Sequence, residues 1–246
     1  LGNGLKLVEA LAEASAPLGL SELARAIGSN KNMATRLLAV LQAEGWVEAL
    51  EPGPRYRLTL KPFAITSRAV GSMPLVEVAH EPVKALWESC GESVYLAIPH
   101  ADSALYLMHL DATGPVKIAG QVGGEYPLHC SAPGKALLAH LGAETLQRIA
   151  KKGLERRTPN TICDTKALSK ELASIMEKGY ASDNEEFGRG IICLASPIFS
   201  HNGQVVGAIG LSATTISYSM DSLAGAFAKK VIASASEISA KLGFRA

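Results

Sequence analysis

Between Leu20 and Leu41 the apolar residues fall twice into a helical repeat. Leu20, Leu23, Ala24 and Ile27 keep the i, i+3, i+4, i+7 spacing of one helix face, and Ala34, Leu37, Leu38 and Leu41 repeat it. Ser21 is placed to cap the first helix and Gly28 to stop it. Asn30 can cap the second, and Gly45 stands where a helix needs a left-handed residue to end. The period then changes to strand-like alternation in Trp46 to Leu50 and Tyr56 to Leu60, around a Glu51-Pro52-Gly53-Pro54 turn. Upstream, Leu5, Val8, Leu11 and Ala12 predict an opening helix that covers the pair, and Pro17-Leu18-Gly19 ends that connection.

Further on, Phe63, Ile65, Ala69 and Val70 predict a helical linker that ends in Gly71-Ser72-Met73-Pro74. Leu75, Val78, Ala79, Leu86 and Cys90 mark the first helix of a second domain, and Pro82 inside it is expected to kink that helix by removing a backbone donor. Ser93 to Ile98 and Ala104 to Leu110 read as paired strands joined near Asp102, with Val116 to Ala119 as a third. Leu137, Leu138 and Leu141 give a helix after Pro133. Leu168, Leu172, Ile175 and Met176 give another, capped by Thr165 and ended by Gly179. Ile191 to Phe199 and Gln204 to Ser212 form a hairpin at His201-Asn202-Gly203, and Leu223, Phe227, Val231, Ile238 and Leu242 a last helix. Helices bracketing an antiparallel sheet make an α+β protein. The expected division is a first domain at 1–62, a linker helix at 63–74 and a second domain at 75–246.

Composition narrows the class. The chain has 246 residues, 48% hydrophobic and 19% charged, enough for one large or two ordinary folded domains. Cys90, Cys130, Cys163 and Cys193 are far apart with no C-x-x-C pair, which suits reduced thiols rather than a disulfide framework or a structural zinc site. No apolar run approaches the ~20 residues that span a bilayer, so a soluble cytoplasmic protein without a membrane partner is expected. The sequence opens on Leu1 rather than Met, which leaves room for a preceding tail.

Charge changes the picture by its placement. Residues 1–62 hold seven Lys/Arg against six Asp/Glu, but no acid lies between Glu22 and Glu44 or from Pro52 to Val76. Lys31, Asn32, Thr35 and Arg36 occupy the polar side of the second helix near its start, where a recognition helix reaches base edges. Arg55 and Arg57 alternate with Tyr56 and Leu58, so both guanidiniums leave the hairpin on one face, as a wing over phosphates would need. The spacing alone leaves two readings open: a DNA reader, or a structural hairpin whose polar faces are only solvated.

Enzyme signatures fail. Gly134-Lys135 suggests a phosphate-binding loop, but the motif requires a Gly where His129 stands and Ser or Thr where Ala136 stands. Neither G-x-S-x-G nor H-E-x-x-H occurs. Cys193 with His129 could form a thiol–imidazole pair, so a cysteine-dependent enzyme is the second hypothesis, and a ligand-independent DNA-binding protein the third. Against the enzyme, Cys193 lies in the apolar run Ile191-Ile192-Cys193-Leu194-Ala195, the setting of a buried, inert thiol. His100, His109 and His201 carry no ligand spacing, and no metal or cofactor is expected. Lys151-Lys152 with Glu155-Arg156-Arg157, and Asp183 to Glu186, read as solvated loops.

Three segments in order carry a family resemblance. LSELARAIG, RLLAVLQAEGWVE and YRL resemble the winged helix-turn-helix of IclR-type bacterial transcriptional regulators. PLHCSAPGKALLA resembles that family's P-x-H-x-x-A-x-GK-A-x-LA segment, and GYASDNEEFGRGIICLASPIF its GYA-x-D-x-EE-x-x-x-G-x-x-C-x-A-x-P signature. The family's recognition helix often begins with a Ser/Thr pair where this chain has Asn32 and Met33. The resemblance implies a GAF-like effector-binding second domain whose pocket uses Ala132, Pro133, Asp183, Ile191, Cys193, Gly210 and Ser212, with Ile118 as a wall. It further implies a homodimer or homotetramer on a palindromic operator, switched by a small organic acid. Relatives that bind very small oxo-acids use backbone N–H groups at the turn matching Ala132 and Pro133 and a serine at the Gly210 position. Here proline has no N–H and glycine no hydroxyl, so the space near Gly210 should grow and a larger, partly apolar effector, an aromatic or medium-sized organic acid, is expected.

Overall fold

In the computed structural model, which describes residues 1–71, 73–116, 118 and 120–245 without the side chains of 67–71, the chain divides into two units, Leu1–Gly71 and Ser72–Ala246. The first unit starts with α1 (Gly2–Glu13), which buries Leu7 and Leu11 and leaves Leu5 54% exposed, so the inward stripe is turned from the expected one. A two-residue strand β1 (Leu18–Gly19) follows, where only a connection was expected. Then come α2 (Leu20–Ala26) and α3 (Lys31–Ala43), the hairpin strands β2 (Val47–Leu50) and β3 (Arg55–Leu58), and α4 (Lys61–Gly71).

Ser21 does not cap α2. Gly19 is the capping residue, and the Glu22 carboxylate accepts its N–H at 2.7 Å. Asn30 does cap α3, accepting the Met33 N–H at 2.9 Å, and Gly28 and Gly45 take the left-handed backbone expected of them. Leu23, Ala24, Ile27, Ala34, Leu38 and Val47 close with Leu7 and Leu11 into one small core, and the strands order as β1-β3-β2.

The second unit is built on a six-stranded antiparallel sheet in the order β6-β5-β4-β9-β8-β7. Its strands are β4 (Ser93–His100), β5 (Ser103–Leu110), β6 (Glu125–Pro127), β7 (Ala181–Asn184), β8 (Ile191–Phe199) and β9 (Val205–Thr214). α5 (Pro74–Cys90) runs unbroken through the buried Pro82 and packs with α9 (Met220–Lys241) on one face. α6 (Ala132–Leu138) and α8 (Thr165–Lys178) share the other face, where a core of Tyr95, Ala97, Tyr106, Ala195 and Ala208 meets Leu137, Leu168 and Ile175. Because both faces are covered, β8 and β9 are buried almost end to end and show no polar alternation.

The expected strand at 116–119 lies partly outside the described residues, and Val116 and Ile118 are not in a strand; the edge is formed by β6 instead. Asp164, not Thr165, caps α8, accepting from the Ala167 N–H at 2.8 Å. α7 (Ala143–Lys152) was not anticipated, and Lys151-Lys152, expected in a solvated loop, form its last turn. Its exposed cations are partly committed: Arg148 Nε lies 2.8 Å from Asp102, which Lys152 also pairs. Among the described residues no helix is long and apolar enough to cross a membrane, and no group of three or more His, Cys, Asp or Glu could hold a metal ion.

Candidate effector pocket and nucleic-acid interface

Strand register assembles the candidate pocket. Asp183 on β7 stands opposite Cys193 on β8, and Cys193 opposite Ser212 on β9, so the three share one face in one row across the sheet. The next row holds Ala195, Gly210, Tyr95 and His109. Over this face, the start of α6 with Ile118 and Gly120 bounds a small cavity of about 50 Å³. Asp183, Ile191, Cys193 and Ser212 line it from the sheet, Ala132 and Pro133 from α6, and Ile118 from the opposite wall.

Gly210 is the exception. A Cβ built there would lie 2.2 Å from the Leu194 carbonyl and 2.5 Å from the Tyr95 hydroxyl, which itself donates to Leu194 O at 3.1 Å. The space that glycine frees is therefore filled by Tyr95, fully buried from the neighbouring strand, and the pocket does not widen there. Its apolar character comes instead from residues the sequence did not single out. Tyr106 stacks on Tyr126 with ring centroids 4.1 Å apart, Tyr126 meets Phe187 at 5.4 Å, and all three line the cavity. Arg157, expected in a solvated loop, lies 4.6 Å over the Phe187 ring. Three tyrosines on adjacent strands were a signal, but only the register brings them together.

The polar members are held from behind. Asp183 is 1% exposed; its carboxylate accepts the backbone N–H groups of Glu186 at 2.7 Å and Phe187 at 3.3 Å. Burial pushes its pKa up to about 7, the Glu186 N–H bond draws it back, and the Glu186 charge adds to the rise. The Asp183–Glu186 run is thus no solvated loop: Glu186 is buried and its Oε1 lies 2.5 Å from Lys135 Nζ, with Glu171 at 3.6 Å from the same ammonium. Lys135, wholly buried on α6, is a strut joining the helix to the β7–β8 turn rather than a phosphate ligand. Gly134 before it has no room for a side chain, since a Cβ would come 2.3 Å from the Pro127 carbonyl.

The thiol–imidazole pair does not form. Cys193 Sγ lies 3.1 Å from Ser212 Oγ, while His129 Nε2 faces the Glu155 carbonyl at 3.0 Å and does not line the cavity. Burial, with the nearby Asp183 charge, raises the Cys193 thiol well above its usual range despite the Ser212 bond, so little thiolate is available for attack.

In the first unit, Lys31, Asn32, Thr35 and Arg36 are exposed at the start of α3, and Arg55 and Arg57 are exposed on β3 while Tyr56 and Leu58 turn inward. Several of these side chains already have partners. The Thr35 hydroxyl donates to Lys31 O at 2.9 Å, Arg55 Nη1 to Pro17 O at 2.8 Å, and Arg57 Nε to Glu48 Oε1 at 2.6 Å. These contacts fix the wing guanidiniums in place while their outer N–H groups stay in solvent.

Comparison with known proteins covers both units. The IclR helix-turn-helix domain matches residues 1–51, and the bacterial transcriptional regulator IclR C-terminal domain matches residues 67–240. The transcriptional repressor IclR of Escherichia coli is 30% identical over 246 residues, covering 99% of this chain and 89% of its own. The DNA-binding transcriptional repressor YiaJ of the same organism is 32% identical over 219 residues, covering 87% of this chain and 78% of its own. Among solved structures, the Thermotoga maritima IclR superposes with a TM-score of 0.82 at 26% identity, over 99% of this chain and 98% of its own. An IclR homologue from Microbacterium hydrocarbonoxydans complexed with 4-hydroxybenzoate shares the fold, with a TM-score of 0.85 at 24% identity over 98% and 97% of the two chains. With both family domains matched in order along one chain, the protein belongs to the IclR family of bacterial transcriptional regulators.

Proposed function

We propose that this regulator binds a palindromic operator as a homodimer or higher homo-oligomer and is switched by a small organic acid held in its second unit. The observation that carries this reading is the cavity itself: seven residues expected at an effector site line one cavity against the sheet. The effector is a partly apolar acid. Tyr106, Tyr126 and Phe187 give it an aromatic wall, and Pro133 withholds the N–H that a bare oxo-acid would need. Cys193 and Ser212 share one hydrogen bond, so one of their two hydrogens remains to donate beside the Ala132 N–H, enough for one acid group. The unionised Cys193 thiol serves binding and packing rather than turnover. The 4-hydroxybenzoate seen with the Microbacterium protein supplies a probe of suitable chemistry.

For the DNA half of the reading, Arg36 and Thr35 read bases while Arg55 and Arg57 contact phosphates. Binding isotherms of the full chain at several salt concentrations test this. Arg55→Gln should weaken all duplexes alike and lower the salt slope by ~1. Arg57→Gln should do so too, with a smaller loss, because Glu48 already neutralises part of its charge. Arg36→Ala should flatten sequence preference, losing roughly 1–3 kcal/mol of discrimination at one position. An unaltered preference in Arg36→Ala removes that residue from the base contacts.

A further inference from the structure

His109, on β5, lines this cavity and holds a buried polar atom that is left unpaired. Its side chain is 8% exposed, its ring helps line the cavity, and its Nδ1 is buried without any hydrogen-bond partner among the described residues. A buried polar nitrogen left unpaired is costly, and such an atom in a ligand site is satisfied when the ligand arrives.

The other ring nitrogen fixes what Nδ1 can do. Nε2 lies 3.2 Å from Asp111 Oδ1. A carboxylate can only accept, so Nε2 carries a hydrogen, and in the neutral form of the ring Nδ1 is then a bare acceptor. Gly120 holds the ring in this orientation: its backbone lies so close that a Cβ would fall 2.4 Å from His109 Cε1. The Tyr106 ring, 6.2 Å away and within 16° of parallel, supports the ring on its other side.

Position in the sheet sets the span. His109 is paired with Tyr95, Tyr95 with Gly210, and Ser212 lies one inward step beyond Gly210 on β9. Two strand spacings and one two-residue step put the His109 and Ser212 backbones about 12 Å apart. His109 and Ser212 line the cavity together with Tyr106 and Tyr126, so a ligand with an acid at one end and a hydroxyl at the other can meet both. We infer that His109 Nδ1 is the specificity-determining acceptor of the effector pocket, and that the effector is a hydroxylated, ring-bearing acid whose hydroxyl donates to it while its acid end meets Ser212 and Cys193. This rests on the reading of the cavity as an organic-acid site.

Calorimetric titration of the full chain with benzoate, 3-hydroxybenzoate, 4-hydroxybenzoate and 4-methoxybenzoate tests it. The methyl ether keeps the oxygen and loses the donated hydrogen. In the wild type a hydroxybenzoate should bind about tenfold or more tighter than benzoate and than the ether. In His109→Phe that advantage should vanish while benzoate affinity persists, and His109→Asn, which can place an amide oxygen near the position of Nδ1, should recover part of it. In the unaltered protein, the ¹⁵N resonance of His109 Nδ1 should move with the hydroxybenzoate and stay with benzoate. A hydroxyl advantage that survives His109→Phe, or acids that bind with no hydroxyl advantage in the wild type, overturns the role of His109 and leaves the organic-acid reading standing. No binding of any acid by the wild type overturns both.

Discussion

Lys135→Met should destabilise the second unit by about 3–5 kcal/mol, the cost of leaving a buried charge without its partner. The ammonium is fully buried, 2.5 Å from Glu186 Oε1 and 3.6 Å from Glu171, and Glu186 Oε2 already lacks a hydrogen bond. Removing the cation strands the Glu186 charge beneath the pocket. The double variant Lys135→Met with Glu186→Leu should regain most of the loss, because the pair is then exchanged for apolar groups. Urea denaturation of the full chain, followed through the second unit's transition, measures both. A midpoint for Lys135→Met equal to that of the wild type would show that the ion pair is not a strut.

Asp183 should make the protein less stable as pH rises. Its carboxyl ionises near 3.8 when unfolded and at about 7 in the folded state, so below about 4 both states are protonated and the group is neutral to stability. Between about 4 and 7 the unfolded chain releases its proton first, and stability falls by up to ~4 kcal/mol, levelling off above about 7. Burial also raises Glu186, which adds a slope of the same sign. Asp183→Asn keeps an oxygen for the Glu186 and Phe187 N–H groups while removing the titration, so much of that slope should go. In parallel, an anionic acid should bind the wild type more tightly as pH falls through about 7, and the Asn variant without that dependence. Melts from pH 4 to 8 decide it: an Asp183→Asn slope as steep as the wild type's would place the titration elsewhere.

How far these residues were legible in the sequence depends on what wrote the pattern. α2 and α3 bury one face each, so their period was visible in Leu23 and Leu38, and the cap and terminator of α3 in Asn30 and Gly45. The cap of α2 is Gly19, which has no side chain to announce it. α7 buries only Thr145 and Ile149, too thin a stripe to register. β7 was hidden because Asp183 reads as solvated. It is buried only because neighbouring backbone N–H groups satisfy it and Lys135, 51 residues before Glu186, neutralises that neighbour. The family resemblance pointed to Ala132, Cys193 and Ser212, but not to what surrounds them. Gly210 reads as open space until the register sets Tyr95 beside it, and His109 reads as a strand-end histidine until the same register turns it inward.

The claim that ties both units together is that filling the pocket changes hold on DNA. The direct measurement is the affinity of the full chain for a duplex selected from a random library, with and without a saturating acid that binds by calorimetry. It is repeated on Cys193→Trp, which fills the cavity. The wild-type dissociation constant should move by about 5- to 150-fold on adding the acid, and that of Cys193→Trp should not respond. A wild-type affinity identical with and without the bound acid would contradict the regulator as described.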